Sequence, residues 1–168
     1  LKPDVASLYA WCRESTPPGT QFIIPPDLIA FRLETGRPIV VDYKSIAFAP
    51  SQQREWYRRH MLQCGASPTG YNDAVNHYAT LDADRALSLQ HEFASEYVVI
   101  DLDRHIGDLT PFDCVFQNGR FQVYRIASHA DLAGRPASSA SGSETGSYCA
   151  DCAVCASVHG APGRLTIF

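Results

Sequence analysis

Residues 21–44 read QFIIPPDLIAFRLETGRPIVVDYK, and the fold class turns on them. Gln21 to Ile24 is a short apolar run closed by Pro25-Pro26, which fits a buried strand with a hard stop, because proline has no N–H for a ladder. Asp27 stands where a helix N-cap is expected. Leu28 to Thr35 then reads as a short helix, with Gly36 at its C-terminal stop. Pro38 to Tyr43 is again continuously apolar, as suits a strand covered on both faces. Strand, helix and strand in this order predict a right-handed crossover and a parallel pair.

Working outward, Asp4 is expected to cap a helix to Glu14 with Val5, Leu8 and Cys12 on its inner face, stopped at Thr16-Pro17-Pro18-Gly19. Ser51 is expected to cap a helix ending at Cys64 before Gly65, and residues 66–80 read as loop. Asp82 caps a helix to Glu96, with Ala86, Leu89 and Phe93 at helical spacing. Tyr97 to Asp101 is a third buried strand. Cys114–Gln117 and Arg120–Ile126 alternate around Asn118-Gly119, the pattern of a hairpin with a type I′ turn. The resulting expectation for residues 1–127 is a small three-layer, Rossmann-like α/β domain: three parallel strands plus a C-terminal antiparallel hairpin.

Composition sets the limits. The chain has 168 residues, 45% apolar and 19% charged, with a formal net charge of −4. That is enough for one packed core. It lacks the concentrated basic face of a nucleic-acid binder, so no nucleic-acid partner is expected. No run approaches the ~20 apolar residues of a membrane helix. The start at Leu-Lys-Pro-Asp, without Met, reads as a fragment or a processed chain.

Beyond residue 127 the composition changes: 20 of the last 41 residues are Ala, Ser or Gly. Residues 136–147 (PASSASGSETGS) read as flexible linker, and residues 128–168 as a disordered or non-native tail. Within it, Cys149, Cys152, Cys155 and His159 have ligand-like spacing. The run resembles a bacterial iron–sulfur motif with His in fourth place, or a Cys3His zinc site. With no hydrophobic frame around it, no metal or other cofactor is assigned. The body cysteines, Cys12, Cys64 and Cys114, are odd in number, which argues against a disulfide framework.

At the carboxyl ends of the expected parallel strands, where such sheets bind ligands, stand Asp27 with Arg32, Asp42 with Lys44, and Asp101 with Asp103, Arg104 and His105. Carboxylates beside Lys and Arg suit binding of a phosphate or sugar, or acid–base chemistry. The same residues also serve as helix caps and clamps. Asp101-Leu102-Asp103 resembles the Asp-x-Asp metal site of sugar-nucleotide transferases. No GxGxxG, GxxxxGK[ST] or GxSxG motif is present.

The Trp11 helix with Thr16-Pro17, Pro25-Pro26 separated by five residues from Arg32, the Val41-Asp42-Tyr43-Lys44 block, Glu55-Trp56 with Arg59, and the Asn118-Gly119…Val123-Tyr124-Arg125 ending together resemble one family. It is the soluble C-terminal domain of bacterial polytopic membrane proteins, an uncharacterised family allied to GT-C-type glycosyltransferases. The resemblance covers residues 5–126. It implies a non-catalytic, extracytoplasmic accessory domain of a multi-spanning membrane protein, itself a lipid-linked-sugar glycosyltransferase. The implied partners are the transmembrane portion of the same parent protein and a polyprenyl-phosphate-linked sugar. An independent small α/β enzyme, or a phosphate- or sugar-binding module using the strand-end Asp, Lys and Arg residues, stands as the alternative.

Overall fold

The computed structural model describes residues 2–44, 46 and 48–126. The expected tail, its Cys149, Cys152, Cys155 and His159, and the boundary at residue 127 lie outside these. Five helices, α1 (Pro3–Ser15), α2 (Phe31–Thr35), α3 (Pro50–Cys64), α4 (Tyr71–Tyr78) and α5 (Ala83–Phe93), accompany four strands, β1 (Phe22–Ile23), β2 (Tyr97–Asp101), β3 (Asp113–Gln117) and β4 (Phe121–Arg125). The sheet order is β1-β2-β4-β3. Only β1 and β2 are parallel; β4 pairs antiparallel with both β2 and β3.

The expected Rossmann-like sheet of three parallel strands is therefore wrong, and the error lies in residues 38–43. They meet β1 at a single parallel bridge, Phe22 with Ile39. The reason is the length of β1. Its N–H and C=O bond Pro38 and Val40 at Phe22, but Pro25 and Pro26 have no N–H with which to extend the ladder. The carbonyls that a longer strand would have shared are taken by side chains of α3. Trp56 Nε1 donates to the Asp42 carbonyl at 2.9 Å and Arg59 Nη1 to that of Val40 at 3.2 Å. His60 Nε2 lies 3.1 Å from the Asp42 carbonyl. The segment is buried and extended in part, yet it belongs to a helix–loop contact and not to the sheet.

Local signals also resolve differently from expectation at several ends. Asp27 caps nothing: α2 begins at Phe31 after Ala30. Helix α3 begins at Pro50, with Ala49 as N-cap, and α1 at Pro3, with Lys2 as N-cap; neither cap residue makes a side-chain hydrogen bond. Asp82 does cap α5, its carboxylate accepting from the Arg85 N–H. Residues 66–80 are not all loop, since they contain α4. The turn at Asn118-Gly119 is not type I′, because neither residue has positive φ. Instead Asn118 Oδ1 accepts from the N–H groups of Arg120 and Phe121, closing the turn through a side chain. Its Nδ2 reaches the Asp4 carbonyl and Ser7 Oγ, which ties the hairpin tip to α1.

The sheet is covered on both faces. Leu8, Tyr9, Cys12 and Phe31 pack against Phe22, Val99, Phe121 and Val123. Tyr78, Ala86 and Leu89, with Trp56 at the margin, pack against Ile23, Val98 and Ile100. Strand alternation sends Val98 and Ile100 to one face and Val99 to the other. Two polar side chains complete this packing. The Tyr78 hydroxyl donates to the Val99 carbonyl at 2.7 Å, just past the point where β1 ceases to pair with β2. Arg37, buried and without a carboxylate partner among the described residues, donates to the Arg13 and Thr16 carbonyls at 2.6 Å each and to Thr16 Oγ1 at 3.0 Å. The C-terminus of α1 thus receives a cation where its dipole favours one.

Removing either group strands buried carbonyls. Tyr78→Phe is expected to lower the unfolding free energy by about 1–3 kcal/mol, and Arg37→Met by roughly 2–3 kcal/mol. Urea titration checks both; an unchanged midpoint in either variant contradicts its assigned role.

Candidate functional site

The carboxyl ends of β1 and β2, the one parallel pair, bring two of the sequence-predicted groups together. Arg104 Nη1 donates to Asp27 Oδ2 at 2.7 Å. Beside this pair, Arg120 contacts Asp101 Oδ2 through Nε at 3.2 Å and Nη2 at 2.7 Å, with Asp101 buried. Asp101 Oδ1 accepts from the N–H of exposed Asp103 at 3.2 Å, and its carbonyl accepts from the N–H groups of Arg104 and His105. The Asp101-Leu102-Asp103 stretch is thus a strand-end turn pinned by Arg120. Among the described residues, no three His, Cys, Asp or Glu side chains are grouped to hold a metal ion.

Arg32, Asp42 and Lys44 are not part of that cluster. Arg32 is exposed on α2 and pairs with neither Asp27 nor Asp42. Asp42 is buried, with Oδ1 accepting from the Lys44 N–H at 2.9 Å. The Lys44 side chain is exposed. Arg32 and Asp42 instead line a cleft of about 230 Å³ between α2, the 39–42 segment and α3, together with Gln52, Glu55, Trp56 and Arg59. The cleft exists because 38–43 leaves the sheet and leans on α3. In it, Glu55 binds Arg58 at 2.8 Å and Arg59 at 2.8 Å, and Arg58 continues to Glu92 of α5. These guanidinium bonds, Arg58 first, pull the Glu55 carboxyl down to about 2. Among the described residues, Arg32 is the lining cation that meets no carboxylate.

Behind Trp56, the inner face of α3 carries His60 and Gln63, both fully buried. Gln63 Nε2 donates to the Ile24 carbonyl, just before the two prolines, at 2.9 Å. His60 sits edge-on to Trp56 and Tyr43, with ring centres 4.5 and 5.6 Å away. Tyr43 also meets Tyr71 at 5.2 Å. Burial lowers the pKa of His60, against the opposing pull of the Asp42 carbonyl. Burial does the same to His105, whose position is set where Gly107 crosses the α4–α5 connection. A Cβ on Gly107 would lie 1.9 Å from the Leu81 carbonyl oxygen.

Sequence reasoning missed Arg120 as the partner of Asp101, Arg59 and Trp56 as cleft walls, and Arg37 as an internal clamp. The Glu55-x3-Arg59 spacing, i to i+4 on a helix, was the legible signal for one cleft wall. Nothing local announces the other contacts, which join residues far apart in the chain.

This fold and these two polar regions define a small mixed-sheet α/β domain. Residues 3–61 match the model of a family described as a domain of unknown function (DUF6798). That span holds every residue lining the Arg32 cleft. No curated protein matches the chain. Among the described residues, no helix is long and apolar enough to cross a membrane.

Both histidines have folded pKa values below the unfolded value of about 6.5. The unfolded chain therefore binds more protons as pH falls below about 6.5, and stability falls with it until the folded pKa is reached. The expected loss is at most about 1.4 kcal/mol per pH unit for each histidine. Urea midpoints measured from pH 7.5 to 5.0 check this, and His105→Gln should flatten the curve; a midpoint that rises on acidification contradicts it.

Proposed function

We propose that the chain is a non-catalytic binding domain of a multi-spanning bacterial membrane protein, on its extracytoplasmic side, and that the Arg32 cleft holds the phosphate of a polyprenyl-phosphate-linked sugar. The observation that carries this reading is Arg32 itself, an exposed guanidinium lining a cleft and meeting no carboxylate among the described residues. A planar guanidinium suits bidentate phosphate binding. Trp56 supplies an apolar wall beside it, and Gln52 an amide. The resemblance to soluble domains of membrane glycosyltransferase relatives supports the setting and the choice of a lipid-linked ligand.

The strand-end carboxylates support binding over catalysis. Asp27 is engaged by Arg104 and Asp101 by Arg120. A general acid or base needs a carboxyl free to exchange its proton near the reacting group. For an independent enzyme these pairs would first have to open.

Farnesyl phosphate, farnesol and inorganic phosphate are the probes for titration calorimetry on the 168-residue chain. Farnesyl phosphate is expected to bind and farnesol not. Arg32→Ala should weaken binding at least tenfold, a loss of about 1.4 kcal/mol, with the thermal midpoint unchanged because the side chain is exposed. Absence of farnesyl phosphate binding, or equal affinity in the variant, overturns the assignment of the cleft.

A further inference from the structure

A second cleft, sharing no lining residue with the first, opens on α4. It measures about 380 Å³ and is lined by Tyr71, Asn72, Val75, Asn76 and Arg104. We propose that it binds a neutral sugar, a mono- or disaccharide unit recognised by its hydroxyl groups and by one apolar ring face.

Three features set that chemistry. Asn72 and Asn76 are one helical turn apart, so both amides project from the same face of α4. Each carries two donors and an acceptor, and neither makes a hydrogen bond within the described protein. Such a pair matches hydroxyl groups, which both donate and accept. Tyr71 supplies the flat surface. The ring meets Tyr43 in a T-shaped contact at 5.2 Å and is 43% exposed, so a positioned aromatic surface stands beside the amides. The charge is balanced, which sets neutral ligands above anions. Arg104 spends Nη1 on Asp27 at 2.7 Å, leaving Nε and Nη2 as positioned donors on a side chain whose charge is already matched.

A neighbouring void adds a second observation. Val75 and Arg104 also line a small void of about 10 Å³ that reaches His105. Among the described residues neither buried ring nitrogen of His105 makes a well-formed hydrogen bond, the Gly107 backbone exerting only a weak pull on the ring. Buried polar atoms in native proteins are nearly always paired. A void of this size admits about one hydroxyl-sized group. A sugar hydroxyl reaching past Arg104 would meet an imidazole kept neutral by burial, able to donate at one nitrogen and accept at the other.

Saturation-transfer NMR on the full chain tests this with methyl glycosides of glucose, galactose, mannose and N-acetylglucosamine, and with adenosine as an aromatic control. At least one glycoside is expected to receive saturation and adenosine none. Asn76→Ala and Tyr71→Ala should each weaken glycoside binding tenfold or more, while Arg32→Ala leaves it unchanged. That last variant separates this site from the phosphate cleft, so either can fail alone. Asn76 is exposed on its helix, so its variant keeps the fold, and a matching thermal midpoint verifies this. The proposal is overturned if no glycoside binds, if binding survives both α4 variants, or if adenosine binds in place of the glycosides.

Discussion

Pro25 and Pro26 have no N–H to offer, and β1 ends before them after two paired residues. The consequences reach both neighbours of β1. On one side of β1, residues 38–43 lose the neighbour that would have made them a strand, and their carbonyls turn to Trp56, Arg59 and His60 of α3. On the other, the Val99 carbonyl outruns its parallel partner and takes the Tyr78 hydroxyl. Gln63 serves the Ile24 carbonyl in the same way. Each exchange keeps a buried acceptor satisfied, at the expense of sheet width.

The same stop shapes the functional surface. Because 38–43 leans on α3 instead of entering the sheet, a gap stays open between it and α2, and Arg32 faces that gap with Trp56 and Arg59. Because the chain turns sharply after the prolines, Asp27 arrives beside Arg104 at the end of β2. That pairing fixes Arg104 along the α4 cleft and neutralises it there. The charged residues at the parallel ends are therefore mostly committed to one another, and the groups left open to a ligand are a guanidinium in one cleft and amides with an aromatic ring in the other.

The antiparallel half follows a separate logic. Asn118 closes its hairpin with its own side chain and fastens the tip to α1, so the hairpin and the first helix are joined by hydrogen bonds between residues 111 and 114 positions apart. Strand β4 then lies between β2 and β3, and Arg120, in the turn just before β4, reaches Asp101.

Much of this was written locally. The apolar spacing of α1, α3 and α5, the Asp82 cap, the Gly36 and Gly65 stops and the position of the hairpin turn are read from neighbours within a few residues, where propensity and capping act. The candidate residues Asp27 and Asp101 were legible for the same reason, as polar groups following apolar runs. What the sequence could not settle was the partner of each. Pro38 to Tyr43 has the composition of a buried strand, and burial is indeed its fate, but a strand also needs a neighbour with free N–H groups. Whether the apolar run found that neighbour or the side chains of a helix thirteen or more residues away depended on the length of β1. The ion pairs of Asp27 with Arg104 and Asp101 with Arg120 depended likewise on where the sheet brought its ends. Tertiary structure decided these points, because hydrogen bonds and charges are satisfied by whatever lies close in space, and only the folded chain brings those groups within reach.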